Sequence, residues 1–490
     1  MKRFLFLFPL TVLFLFSCQN QSKKSENSVE VEETRPNIVY ILADDLGYGD
    51  LSCYGQTNFA TPNIDKLAAS GMKFTQHYSG CTVCAPSRST LMTGQHTGHT
   101  YIRGNKEIQP EGQFPLEAKA ITMAEVLQEA GYTTGGFGKW GLGYPGSEGD
   151  PNNQGFDEFY GYNCQREGHH YYPGHLWHNQ EKVLLSGNDD LKRGEYGPQK
   201  INDAVLNFIE TNNPQKTGKP FFLYYPSVIP HAELFAPESY MEKYRGKFLP
   251  EKSYKGHDSG EKYTIGGAYS SQPESHAAFA AMINTFDDYV GNVVAKLKEL
   301  GLYENTLIIF TSDNGPHQEG GADPDYFDSN GILKGYKRDL YEGGIRVPMI
   351  AVWDGKINAG TETDHISAFW DVFPTVADIT GISTPENIDG VSFLPTLLGE
   401  EQITHDYLYW EFHELGGRKA LRKGDWKLVH YNVLKSELTT IELYNVVTDP
   451  GEENNVANAH PEVVKELEEL MNSARTESEI YSFQSRTIIK

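Results

Sequence analysis

Apolar residues in this chain come in short unbroken runs that alternate with stretches of helical spacing. Asn37-Ile38-Val39-Tyr40-Ile41-Leu42-Ala43 is continuous and rich in β-branched residues, which predicts a strand buried on both faces, and it stops at Asp44-Asp45. Residues 121–130 have helical spacing and end at Gly131; residues 132–137 then read as a short strand running into Gly138-Lys139-Trp140. A further strand over 221–225 leads toward His231. Residues 279–300 predict a long amphipathic helix ended by Gly301, and 306–311 a strand ending at Ser312-Asp313-Asn314-Gly315. Helices alternating with apolar strands predict the α/β class, a mostly parallel sheet flanked by helices.

The pattern changes near residue 398. Residues 408–412, 419–422, 426–431 and 442–446 read as short strands joined by turns, and 461–473 as a closing helix. This predicts a main domain over 36–398 and a smaller antiparallel α+β subdomain over 399–490. Asp44, Asp45, Lys139, His231, Asp313 and Asn314 all fall just beyond the C-terminal ends of predicted strands. In open α/β sheets ligands bind at that edge, so carboxylates and bases far apart in sequence are expected to meet in one cleft.

The first residues are read apart from the fold. Lys2 and Arg3 precede an apolar run over 4–16, and Leu15-Phe16-Ser17-Cys18 resembles a bacterial lipoprotein cleavage site. The run is too short to span a bilayer comfortably. The expectation is a signal peptide over 1–17, lipidation at Cys18 and a flexible polar tether over 18–35, with a plain secretory signal as the alternative. An exported protein is implied, in the periplasm or at the cell surface, held to the outer membrane by its lipid.

Composition narrows the partners. The 490 residues are 39% hydrophobic, enough for a large core, and 42 Lys and Arg stand against 66 Asp and Glu, a net charge of -24. Such acidity argues against nucleic acid or anionic lipid as the main partner, while leaving room for a small anion in a locally basic cleft.

The most informative stretch is Cys84-Ala85-Pro86-Ser87-Arg88 followed by Leu91-Met92-Thr93-Gly94. Pro86 suits the first position of a helix, which puts Cys84 at a helix N-terminus, where free N–H groups favour an anion, and Arg88 one turn in. Cys81 and Cys84 are also spaced as a redox pair or as half of a zinc site, and Cys84 also fits a plain buried thiol. Asp44, Asp45 and Asp313 with the Asn314 amide are hard oxygen donors suited to calcium or magnesium; a turn or helix cap is the simpler reading of one such pair alone.

Cys-x-Pro-Ser-Arg followed by Leu-x-Thr-Gly resembles the signature of the formylglycine-dependent sulfatases. The opening Arg35-Pro36-Asn37-Ile38-Val39 with Asp44-Asp45-Leu46-Gly47-Tyr48-Gly49-Asp50 is similar to that family's. So are Gly155-Phe156-Asp157, Thr311-Ser312-Asp313-Asn314-Gly315, Lys337 with Tyr341-Glu342-Gly343-Gly344-Ile345-Arg346-Val347-Pro348, and Leu443-Tyr444-Asn445 with Asp449-Pro450-Gly451-Glu452. The resemblance implies an alkaline-phosphatase-like fold and a catalytic domain over 36–398. It implies oxidation of Cys84 to formylglycine by a maturation enzyme, and a calcium ion held by Asp44, Asp45, Asp313, Asn314 and residue 84. The hydrated aldehyde attacks sulfur, Arg88, Lys139 and Lys337 hold the sulfate oxygens, and His231 protonates the leaving alcohol. With Cys18 lipidated and Cys84 converted, three of the five cysteines remain, at most one disulfide.

One block departs from the family. Where it has Gly-Lys-Trp-His-Leu-Gly, this chain has Gly138-Lys139-Trp140-Gly141-Leu142-Gly143, so the histidine that contacts the formylglycine hydroxyl is missing. Either another histidine fills that space, or water does, or the enzyme is impaired; His169, His170 and His317 are the candidate histidines, and the candidates to bind substrate. Residues 163–177 are similar to bacterial carbohydrate sulfatases related to galactosamine-6-sulfatases. Their histidines and aromatics suit sugars, with a packed aromatic loop as the alternative. The substrate expected is a sulfated carbohydrate carrying galactose or N-acetylgalactosamine. The competing expectations are a phosphomonoesterase or phosphodiesterase of the same superfamily, and a catalytically silent glycan-binding lipoprotein.

Overall fold

The apolar run after Asn37 is a central strand of an eleven-stranded sheet. The computed structural model describes residues 35–483, so the signal peptide, Cys18 and nearly all of the tether lie outside the described residues. In chain order the strands are β1 (Asn37–Ala43), β2 (Met72–Tyr78), β3 (Thr133–Lys139), β4 (Glu158–Tyr162), β5 (His175–His178), β6 (Glu181–Leu184), β7 (Phe221–Pro226), β8 (Thr306–Ser312), β9 (Arg346–Val352), β10 (Thr361–Thr363) and β11 (Ser367–Ala368). Their order across the sheet is β10-β2-β9-β8-β1-β7-β3-β4-β5-β6, with β11 also on β2. The five strands β8-β1-β7-β3-β4 are parallel, while β9 and β5 run against their neighbours. The sheet is therefore mostly parallel, as the alternating pattern predicts.

Every residue of β1 is buried because both faces are covered. Val39, Ile41 and Ala43 pack with Phe279, Ile283 and Phe286 of the helix Ser275–Glu299. Ile38, Tyr40 and Leu42 face the other way, onto Leu91, Met92, Val372 and Val376. This is the two-residue alternation of a strand between two apolar layers. Among the described residues no helix is long and apolar enough to cross a membrane.

Local chemistry moves several boundaries. The helix expected over 121–130 is Met123–Glu129, started by a capping box: Thr122 Oγ1 accepts the Glu125 N–H at 3.1 Å, and Glu125 returns a carboxylate to the Thr122 N–H at 2.8 Å. The next strand extends to Lys139, which closes the strand instead of following it.

The second sheet is antiparallel, in the order β12 (Leu408–Phe412), β13 (Arg418–Lys423), β14 (Trp426–Tyr431), β15 (Thr440–Asn445). Leu408, Trp410, Phe412, Ala420 and Val429 pack onto Tyr78, Leu340, Ile345 and Trp370. Tyr409, Leu421, Leu428 and Leu443 pack onto Leu467 and Met471 of the helix Pro461–Ser473. A sheet buried on both faces has few places for charge, yet Lys427 is wholly buried there. Its Nζ lies 2.9 Å from Glu342 and 3.1 Å from Glu452. Against the cost of burial Lys427 holds the Glu342 carboxyl down, at about 2, while burial pushes that of Glu452 up to about 7. Lys427→Met leaves two buried carboxylates facing one another. It is expected to cost about 3–5 kcal/mol, read as a lower urea midpoint with an unchanged slope.

Candidate active site

The site stands where β1 and its neighbours end. Asp44 leaves β1 with its N–H on the Ile229 carbonyl at 3.0 Å, and the Asp313 N–H reaches back to the Ala43 carbonyl at 3.1 Å. Asp45 takes φ +65°, a left-handed conformation that Asp tolerates better than most residues, and its N–H meets Asp313 Oδ1 at 3.1 Å. This backbone turns two successive carboxylates into one place. The ligating atoms of Asp44, Asp45, Cys84 and His231 all lie within 4.8 Å of one another.

Cys84 is the first residue of the helix Cys84–Thr93, all ten residues of which are buried. Pro86 is therefore third and not first, still within the turn whose N–H groups have no partner inside the helix. Cys84 Sγ lies 3.3 Å from Asp44 Oδ1 and 3.3 Å from Lys139 Nζ. Burial, with Asp44 beside it, pushes the thiol well above its ordinary range. Cys81 turns elsewhere, to the Glu411 carbonyl at 3.6 Å, and both cysteines are free, so they form no redox disulfide here.

Three buried carboxylates face three buried cations. Lys139 forms a direct ion pair with Asp44, and Lys337 Nζ lies 2.8 Å from Asp45 Oδ2. Arg88 holds Asp313 Oδ2 through Nε at 3.1 Å and Nη2 at 2.8 Å, and gives its remaining Nη1 to the Lys139 carbonyl. Arg88 is thus committed to the protein itself and not turned to a free anion. Burial works against ionisation of Asp44, but Lys139 holds its carboxyl far below the usual range. Burial and the adjacent Asp44 push Asp313 up, to about 7. Asn314 donates from Nδ2 to Asp45 Oδ1 at 2.7 Å and to the Gly315 carbonyl at 2.9 Å, while its own buried Oδ1 has no hydrogen-bond partner. Converging carboxylate oxygens beside an amide oxygen without a donor fit a hard divalent cation. His231 also comes within reach, which sequence reasoning did not place among the ligands.

His231 lies between two other histidines. Its ring stacks on His169 at 5.0 Å and 11° and on His317 at 5.6 Å and 20°. Nδ1 binds the Ala232 carbonyl, and Nε2 faces Lys337 Nζ at 2.9 Å. Burial and the Lys337 ammonium pull the ring down to about 4. His169 Nδ1 is held by the Gly267 carbonyl at 2.8 Å, and His317 is fixed between the Pro230 carbonyl and the Glu319 N–H, both at 3.1 Å. Glu319 was missed from the sequence, where no motif marks it. Its carboxylate meets Lys337 at 3.0 Å, Arg338 at 2.7 Å and the Tyr269 hydroxyl at 3.2 Å.

The remaining expectations fare differently. His170 turns to the Tyr263 carbonyl at 3.0 Å and toward Glu233 at 3.9 Å. Burial lowers its pKa, but Glu233 outweighs it and leaves it raised. Tyr171 is wholly buried, with its hydroxyl on the Val228 and His231 carbonyls, and Tyr172 packs on Tyr196 at 5.3 Å. Those two rings take the packed alternative. At Gly141 the neighbouring side chain is that of Gln165: a Cβ at residue 141 would come within 2.1 Å of its Nε2.

Residues 36–382 match the family described as Sulfatase, and residues 334–477 match N-sulphoglucosamine sulphohydrolase, C-terminal. N-acetylgalactosamine-6-O-sulfatase of Bacteroides thetaiotaomicron is 30% identical over 533 aligned positions, covering 97% of this chain and 100% of that one. Arylsulfatase A of Homo sapiens is 32% identical over 89% of this chain and 87% of its own. Among solved structures, Ps i-CgsB in complex with k-i-k-neocarrahexaose superposes with a TM-score of 0.75 at 28% identity, covering 90% of this chain and 93% of that one.

The surroundings of His231 give a direct test. With its pKa near 4, the ring is expected to stay neutral from pH 5 to 8. Lys337→Met removes the nearest ammonium and should raise that pKa. Histidine-selective 15N spectra across a pH series report both.

Proposed function

The chain belongs to the sulfatase family and is a sulfuric ester hydrolase, and we propose that it removes sulfate from galactose or N-acetylgalactosamine units of a polysaccharide or glycosaminoglycan. The observation that carries this reading is Cys84, buried between the carboxylate of Asp44 and the ammonium of Lys139. A thiol raised so far by burial is a poor nucleophile at neutral pH. Formylglycine made from Cys84 supplies, as its hydrate, a hydroxyl in the same position. Asp44, Asp45, Asp313, Asn314 and residue 84 would hold calcium, which supplies Lewis-acid polarisation at the nucleophile and the sulfate.

The chain's own residues account for the rest. Lys139 Nζ, 3.3 Å from the Cys84 sulfur, is within reach of oxygens on a sulfate bound there, and Lys337 approaches from the side of Asp45. Both ammoniums offset the charge that develops on those oxygens. Lys337 Nζ, 2.9 Å from Nε2 of the neutral His231 ring, supplies that nitrogen with the proton that passes to the leaving oxygen. The His169 and His317 rings fix the plane of His231. Arg88 holds Asp313 and the end of β3, so it acts on the reaction through the carboxylate it positions. The carbohydrate assignment is supported by the relative named for N-acetylgalactosamine and by the neighbour solved with neocarrahexaose. Export with a lipid on Cys18, and maturation by a formylglycine-generating enzyme, complete the proposal.

Mass spectrometry of the peptide containing residue 84, from protein made in its native cell, is expected to find formylglycine. Unmodified cysteine in protein that still hydrolyses sulfate esters would overturn the mechanism. The leaving group can be tested separately. A sugar alkoxide needs a proton far more than a phenolate does, so His231→Ala is expected to cost about a hundredfold or more in kcat on sulfated galactosides and much less on an aryl sulfate. Equal losses would remove the sugar from the proposal.

A further inference from the structure

We propose that Gln165, backed by Asn163 and Gln113, contacts the substrate, forming a neutral amide wall beside residue 84 that receives the hydroxyl or acetamido groups of the sulfated sugar. This rests on the carbohydrate sulfatase reading and extends it to the segment that packs beyond Gly141.

The location follows from how residues 163–169 are tied to the reacting groups. At one end the Asn163 carbonyl accepts the Gly141 N–H at 3.0 Å, and Gly141 lies two residues beyond Lys139, whose ammonium touches Cys84. At the other end Gly168 lies against the Lys139 stem, where a Cβ would meet Cδ at 2.8 Å, and His169 stacks on His231. Gln165 is between these anchors. Gly141 has φ +78°, and the amide of Gln165 occupies the space a side chain there would take. Glycine at 141 and glutamine at 165 are thus two halves of one arrangement: the smaller residue makes room for the amide.

The hydrogen bonding of the segment points to a ligand. Gln165 is 6% exposed, and neither Oε1 nor Nε2 has a hydrogen-bond partner. Asn163, 1% exposed, has neither Oδ1 nor Nδ2 bonded. Gln113, also 1% exposed, accepts the Gln165 N–H on Oε1 at 3.3 Å and leaves Nε2 unbonded. Buried amides without partners are costly, and native folds rarely keep several together without a use for them. Their chemistry selects the ligand class. Each amide offers both a donor and an acceptor, as do a sugar hydroxyl and an acetamido group, whereas a sulfate only accepts. The cations beside Cys84 suit the sulfate; the amides suit the ring that carries it.

The test is Gln165→Met, which keeps the volume and removes the hydrogen bonds. The probes are a panel of monosulfated galactose and N-acetylgalactosamine saccharides, with phenyl sulfate as a substrate whose ring offers the amides no hydroxyl or acetamido group. The expected result is a loss of about tenfold in kcat/KM on the saccharide the wild type prefers. The aryl sulfate should change by about twofold or less, and Tm should be no lower, because an unpartnered buried amide has been removed. Asn163→Leu should show the same split, and it decides the matter if Gln165→Met does not fold. An unchanged saccharide rate overturns the subsite alone and leaves the carbohydrate reading intact. Equal losses on both probes, or a fall in Tm that accounts for both, make Gln165 a catalytic or structural residue and also overturn it. A wild type that hydrolyses phenyl sulfate and no saccharide overturns the carbohydrate reading, and the subsite with it.

Discussion

Three carboxylates cannot be packed beside one another away from water unless positive charge is packed with them. Asp44, Asp45 and Asp313 are wholly buried at the end of the parallel sheet, and Lys139, Lys337 and Arg88 accompany them. The six groups come from five separate places in the chain. Each requires its own element to arrive at the right depth: β1 for the first two carboxylates, β8 for the third, β3 for one lysine, the helix after Cys84 for the arginine. The fold can therefore be viewed as the means of making an improbable concentration of charge tolerable. The histidine stack and the Glu319 network surround that centre and extend its charge balance outward.

The second sheet also serves this centre. Trp410 on β12 donates its indole N–H to the Ser79 carbonyl at 2.9 Å, and the Cys81 thiol reaches the Glu411 carbonyl. Glu411 in turn binds Arg103 at 3.0 Å and Arg475 at 2.7 Å. The strand thus grips the short segment that delivers Cys84 to its helix, and Lys427 fastens the same sheet to Glu342. A boundary drawn near residue 398 separates two patterns of secondary structure, but the nucleophile's backbone depends on both sides of it.

What could be read from the sequence, and what could not, follows from how each residue is specified. Asp44, Asp45, Asp313 and Asn314 were legible because unbroken apolar runs, residues 38–43 and 307–310, lead up to them, so the strand ends stand out. Cys84 was legible because its neighbours form a dense motif. The strands β4, β5, β6 and β10, at or near the two edges of the sheet, are short and only partly buried, so their hydrophobic signal is weak. Lys139 could be placed only to within a residue or two of its strand end. Glu319 and Gln165 were not legible as site residues, since nothing local distinguishes them from other loop residues; only the tertiary fold sets one against Lys337 and the other against Gly141. Arg88 shows the opposite limit. Its motif predicts that it belongs to the site but not that its guanidinium turns inward, to a carboxylate of the protein.

The enclosure of Cys84 also has a consequence in time. The residue is 2% exposed, at the head of a helix with no exposed residue, and its neighbours Cys81 and Val83 pack with a sheet that comes from the far end of the chain. Once that segment is packed, little of the sulfur is left for a second protein to reach. If residue 84 is converted as proposed, an enzyme that alters it would have to work while the polypeptide is still open, so completion of the fold would set its deadline.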